Sequence, residues 1–193
     1  HIDDLYATAY HFDDPRFIAT IQWFADNMKK GFIMPLEQVT SLGGSASFNS
    51  GLGALHSNGS WMIGDFVNNA TVPYAFARLP EGPEGRKSMF NGLADSIWVG
   101  SKHQEEAWQW VKFAASQECA DIVGDAGVVF PAQQSGVEKA VAAYEAKGLD
   151  VSAFTVQATE EGGTFLFPVT DHAAEISAIM TPAMQSIMLG QTD

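Results

Sequence analysis

The sequence has little positive charge, and this shortage limits the partners it can bind. Ten Lys and Arg residues stand against 23 Asp and Glu residues, which gives a formal net charge of −13. A chain with this balance repels a phosphate backbone, so we expect no nucleic-acid partner. A neutral ligand suits the charge better than an anionic one.

Cysteine, long apolar runs and familiar catalytic motifs are also scarce or missing. The single cysteine, Cys119, cannot form an internal disulfide and is best explained as a small buried hydrophobe. No stretch approaches the ~20 apolar residues of a membrane span. Neither His-Glu-x-x-His nor Gly-x-Ser-x-Gly occurs. We therefore expect no metal, no cofactor and no catalysis, although the many carboxylates leave a glycosidase open.

The residues that are present, 46% of them hydrophobic, predict a globular chain that is richer in helices than in strands. Asp14 followed by Pro15 predicts a helix start, and Ser101 with Gln104 forms a capping-box pattern. The periodicity predicts further helices over 61–66, 118–124, 137–147, 151–159 and 171–189, strands over 72–79 and 96–99, and a loop over 41–50. Pro182 should kink or divide the last helix. A self-contained α/β domain would normally contain more strands than these. The shortage suggests that the remaining strands lie in a missing amino-terminal part.

Four groups of short motifs follow one another along most of the chain. They are Trp23-Phe24-Ala25-Asp26 with its Lys-Gly-Phe-Ile-Met-Pro exit; Phe48-Asn49-Ser50-Gly51 followed by Asn58-Gly59-Ser60-Trp61; Leu79-Pro80-Glu81-Gly82-Pro83 followed by Asn91-Gly92, Ser101-Lys102 and Glu106-Ala107-Trp108; and Phe130-Pro131-Ala132. In order and spacing, these motifs resemble family 1 of the bacterial extracellular solute-binding proteins, the group that includes maltose-binding protein.

The resemblance implies an α/β fold, the helix-rich carboxy-terminal lobe of a two-lobe periplasmic-binding-protein-like (type II) architecture whose amino-terminal lobe is missing. Residues 1–90 would belong to that lobe, 91–135 to the hinge crossing, and 136–193 to the helices that return to it. The implied function is capture of a neutral mono- or oligosaccharide for an ABC importer, in the periplasm or outside the cell, with a lipid anchor on a missing segment as one option. The implied partners are the sugar and the importer's membrane subunits.

Aromatic faces and planar polar groups are what a sugar site needs. The resemblance and the local sequence together nominate Trp61, Asp65, Asn91, Gly92, Phe130, Asp171, His172 and Glu175 as ligand-binding residues. Each has a structural alternative. Trp61 and Phe130 would otherwise pack in a core, Asn91-Gly92 would be a plain turn, and Asp171, His172 and Glu175 would begin and complement a helix.

Two other functional classes stay open at this point. The lobe could serve as a sensor or docking module instead of a carrier, and it could process glycosides as an enzyme. Unpaired strand edges and apolar patches would also favour self-association or pairing with a missing amino-terminal lobe.

Overall fold

The computed structural model describes residues 9–83 and 85–192, and the chain divides into two compact units. The first unit joins the described residues up to His56 to those from Leu166 onward, and the second runs from Ser57 to Phe165. The two chain ends therefore share one unit. The predicted assignment of 1–90, 91–135 and 136–193 to lobe, hinge crossing and return helices stays a prediction, and its first eight residues lie outside the described part.

Helices dominate the described residues, and only two short strands accompany them. The helices are α1 (Pro15–Lys29), α2 (Leu36–Leu42), α3 (Gly44–Asn49), α4 (Ile63–Asn69), α5 (Gln104–Ala114), α6 (Gln117–Ala126), α7 (Gln134–Glu145), α8 (Ser152–Thr159) and α9 (Ala173–Met188). Strands β1 (Ser88–Phe90) and β2 (Thr164–Leu166) pair as a two-stranded parallel sheet. None of the described helices is long and apolar enough to cross a membrane.

Helix α1 begins where the sequence predicts. The Asp14 carboxylate accepts a hydrogen bond of 2.8 Å from the backbone N–H of Arg16, and Pro15 is the first helical residue. This cap satisfies an amide that has no partner inside the helix. The predicted helices over 118–124, 137–147, 151–159 and 171–189 also form, within a few residues of their predicted ends.

Several predictions about local structure were wrong. Residues 41–50 are mostly helical, in α2 and α3, and Gly43 separates these two helices at φ +81°. Residues 72–79 and 96–99 form no strand, because no other described strand pairs with them. The predicted capping box at Ser101 does not form. His103 is the residue before α5 and makes no side-chain cap hydrogen bond, and the Ser101 hydroxyl accepts from the backbone N–H of His103. The predicted division of α9 at Pro182 does not occur, whereas the alternative of a kink there stays a prediction.

The second unit contains the hydrophobic core. Ile63 of α4, Ala140 and Tyr144 of α7, and Val151 before α8 are almost fully buried and pack together. The aromatic rings of Phe76 and Phe154 cover this cluster, with their centroids 5.2 Å apart. The core therefore fixes α4, α7 and α8 relative to one another within this unit.

Candidate functional site

Trp61 lies on a 3₁₀ turn, Ser60–Met62, that leads directly into α4. Its indole folds back over Gly59, so closely that a Cβ at Gly59 would overlap the six-membered ring. The side chain remains 50% exposed. Two residues later, the buried Ile63 anchors the segment in the core. The backbone of Gly59 thus packs against the Trp61 ring, and half of the Trp61 surface remains open to solvent.

The loop before Trp61 is shaped by local hydrogen bonds. The backbone N–H of Gly59 donates to the side-chain oxygen of Asn58 at 2.8 Å, and Met62 N donates to the Gly59 carbonyl at 3.0 Å. Because Gly59 has no side chain, the indole can lie directly on the main chain. The dipeptide Asn58-Gly59 is a tight-turn signal, but no sequence pattern shows this second role of the glycine.

Asp65 follows on α4, one turn after Trp61. Its carboxylate accepts a 2.7 Å hydrogen bond from the Asn69 side-chain amide, and the residue is half-buried. This contact orients the carboxylate along the helix. A carboxylate can accept several further hydrogen bonds, including those of sugar hydroxyls.

Asn91 and Gly92 are exposed and come immediately after strand β1. The position of β1 depends on the Gly163 carbonyl, which accepts from Ser88 N at 2.8 Å and from the Gln157 side-chain amide at 2.7 Å. Gln157 is 6% exposed. It therefore joins α8 to the strand pair that carries Asn91, and no sequence pattern distinguished it from its neighbours.

Phe130 packs on the core of the second unit. Its ring lies 5.8 Å from that of Tyr144 and 6.2 Å from that of Phe154, centroid to centroid, and the residue is half-buried. The packing alternative for this residue is therefore present in the structure. Burial also raises the pKa of the Tyr144 hydroxyl, since a phenolate is poorly solvated there.

Asp171, His172 and Glu175 belong to the first unit, and all three are exposed. The five other predicted residues belong to the second unit. His172 is the residue before α9, and its N–H donates to the Thr170 hydroxyl at 3.2 Å. Glu175 lies in the first turn of α9, where a negative charge complements the helix dipole. In the described part of the chain, no three His, Cys, Asp or Glu side chains group as metal ligands would.

Comparisons with known proteins give a likeness of fold. The chain aligns over 95% of its length with the crystal structure of M. tuberculosis UspC (monoclinic form), at 24% sequence identity and a TM-score of 0.74. It spans 46% of the UspC chain, which is less than half of that protein. No family model matches the chain, and no curated protein matches it.

These comparisons correct the family prediction. Membership of family 1 of the extracellular solute-binding proteins is wrong as predicted, since no family model supports it and the structural likeness does not extend beyond fold. Most of the quoted motifs contain a glycine, a proline, an asparagine or a serine, residues that recur wherever a chain turns. The prediction of an α/β class is confirmed at its coarser level. The chain is a helix-rich α/β protein that shares the fold of just under half of UspC.

Proposed function

We propose that this chain is part of a substrate-binding protein that captures a neutral carbohydrate and delivers it to the membrane subunits of an ABC importer, without catalysing a reaction. The observation that carries the proposal is the Trp61 indole, which rests on Gly59 and keeps half of its surface exposed. Sugar rings present flat C–H faces, and an exposed aromatic face is the surface that stacks on them.

The charge of the chain supports a neutral ligand. A net charge of −13 disfavours the binding of anions overall, whereas an uncharged sugar is not repelled. Asp65 and Asn91, both in the same unit as Trp61, offer acceptor and donor groups for sugar hydroxyls.

The proposed architecture is part of a two-lobe solute-binding fold. The likeness to UspC over 95% of this chain, but only 46% of that one, supports a chain that supplies one part of a larger binding protein. The proposed location is outside the cytoplasm, where a binding protein meets both its solute and its membrane partner. The ligand-binding roles of Asp171, His172 and Glu175 stay predictions.

Removing the indole tests the proposal. In the full-length natural protein, titration calorimetry against a panel of neutral mono- and oligosaccharides should find a ligand, and Trp61→Ala should weaken its binding. Covering the exposed half of the ring removes about 100 Å² from water, worth up to about 2.5 kcal/mol. We therefore expect Trp61→Ala to lose about 1–3 kcal/mol of binding free energy, which raises Kd about 5- to 150-fold.

The chain provides a matched control. Trp98 also lies against a glycine, Gly100, and is 74% exposed, yet it is not a predicted site residue. Trp98→Ala should leave sugar affinity unchanged. Equal losses in both variants, or release of a cleaved sugar during the titration, would contradict the proposal.

A second pair of variants tests the support beneath the ring. Gly59→Ala places a methyl group where the Trp61 ring lies, so the ring must move and sugar affinity should fall. Gly100→Ala makes the same change beneath Trp98 and should not affect it. An unchanged affinity in Gly59→Ala would remove the glycine from the binding site.

A further inference from the structure

The first unit presents an apolar groove that the proposed sugar site does not use. Leu36 at the start of α2 and Met180, Met184 and Met188 of α9 line it, and we call these four residues the methionine face. The groove encloses about 280 Å³, with Thr181 and Gln185 as its other lining residues. No charged side chain lines it. The three methionines recur every fourth residue, so they form one stripe along α9.

The unit that carries this face has almost no core of its own. Among its described residues only Ala25, Ser47 and Asn49 are buried, and none of these is a large hydrophobe. Phe32 is 79% exposed and Ile179 is 71% exposed. A stable unit of this size normally seals several such side chains. Its apolar surface therefore lacks the covering that would stabilise it.

We propose that the methionine face is covered by further polypeptide of the same protein, an apolar segment of the part of the fold that UspC has and this chain lacks. The alignment uses 95% of this chain but only 46% of UspC, so that fold contains further polypeptide that is available as the cover. The uncharged lining accepts apolar side chains, and methionine adapts its shape to them. A second copy suits the face less well, because two chains of −13 each repel one another.

Methionine oxidation measures this cover directly. The 193-residue chain and the product of its complete gene, both without sugar, are treated with dilute hydrogen peroxide, and mass spectrometry follows the oxidation of Met180, Met184 and Met188. We expect all three to oxidise at least about tenfold more slowly in the complete product, since a thioether sealed in an interface is shielded from the oxidant.

A pair of variants on α9 makes the test specific. Met184→Glu places a charge on the methionine face, and Ala183→Glu places one on an exposed neighbouring position. In the complete product, Met184→Glu should return Met180 and Met188 to the fast rate, while Ala183→Glu should not. Hydrogen exchange at the buried α7 core around Tyr144 checks that the second unit remains folded in both variants.

Three results would overturn the proposal. They are equal oxidation rates in the chain and the complete product, a gene that encodes nothing beyond these residues, and slow oxidation in the isolated chain that appears together with a dimeric mass in sedimentation. The last result would identify a second copy as the occupant. Because no sugar is present, none of these outcomes depends on whether the chain binds carbohydrate.

Discussion

At the scale of single residues, the absence of one side chain determines how Trp61 is presented. Gly59 allows the indole to lie on the main chain, and the buried Ile63 keeps the segment in place. That Trp61 follows a tight turn could be inferred from Asn58-Gly59. The sequence could not show that the ring folds back onto the turn, because that depends on a rotamer and not on a pattern of residue types.

The cap of α1 gives a prediction about acidity. The Arg16 side chain and then its backbone N–H bind the Asp14 carboxylate and lower the pKa of that group to about 2 from 3.8. A carboxyl whose pKa falls on folding adds stability that is complete above about pH 3.8 and is lost as the pH drops through about 2. Arg16→Ala should therefore raise the Asp14 midpoint, measured from its carboxyl ¹³C shift by NMR.

The midpoint should rise only part of the way in Arg16→Ala, because the backbone hydrogen bond remains when the side chain is removed. Lys29→Ala, at the opposite end of α1, serves as the control and should leave the midpoint unchanged. An identical Asp14 titration in the wild type and Arg16→Ala would show that the guanidinium does not hold the carboxylate.

At the scale of elements, the sequence predicted best the helices with strong local signals. Asp14 and Pro15 define the start of α1 through contacts within three residues, and such contacts form in any surroundings. The helices over 41–50 were missed because their residues are small and polar. There the hydroxyls of Ser47 and Ser50 donate to the carbonyls four residues earlier, within the helical backbone that the composition seemed to disfavour.

In the stretch 72–79 the alternation of buried and exposed residues is as predicted, but the predicted strand does not form. Tyr74 and Phe76 are half-buried, whereas Ala75 and Ala77 are exposed. The two aromatic rings pack with Phe66 of α4, and no ladder of hydrogen bonds forms. Alternation records which side of an extended segment is covered, but a strand also needs a neighbour.

The contact between α6 and α7 predicts a stability difference between two glycines. Gly124 lies so close to the Gly136 carbonyl that a Cβ would overlap it, whereas a Cβ at Gly64 of α4 meets nothing within 4 Å. Gly124→Ala should therefore lower the free energy of unfolding by about 1–3 kcal/mol. Gly64→Ala should leave it unchanged or raise it by up to about 1 kcal/mol.

Urea unfolding of both variants, followed by circular dichroism, measures this difference. Two side-chain hydrogen bonds also join α6 to α7. Ser135 Oγ donates to Asp121 at 2.6 Å, and Lys139 Nζ donates to Asp125 at 2.9 Å. Asp125 and Asp121 also raise the pKa of Lys139. Equal midpoints for Gly124→Ala and Gly64→Ala would mean that the two helices are not in close contact.

At the scale of the whole molecule, the sequence was least informative where distant segments meet. Strands β1 and β2 are three residues each and lie far apart in the chain, so neither shows a periodic pattern. Their pairing depends on the Gly163 carbonyl and the buried Gln157, contacts that no local window contains.

The family prediction failed at the same scale. Short motifs in a shared order were sufficient to predict the α/β class, which is confirmed at its coarser level. They were not sufficient to identify a family, because residues that cap helices and form turns are selected by local geometry in many unrelated proteins.

The most direct test of the sugar-binding account is saturation-transfer NMR on the full-length protein with its best carbohydrate ligand. Irradiation of the aromatic protons should transfer magnetisation to the C–H protons on one face of the sugar ring. We predict that this transfer disappears in Trp61→Ala and persists in Trp98→Ala. Transfer of equal strength in both variants would contradict the claim that the indole held on Gly59 is the surface on which the sugar stacks.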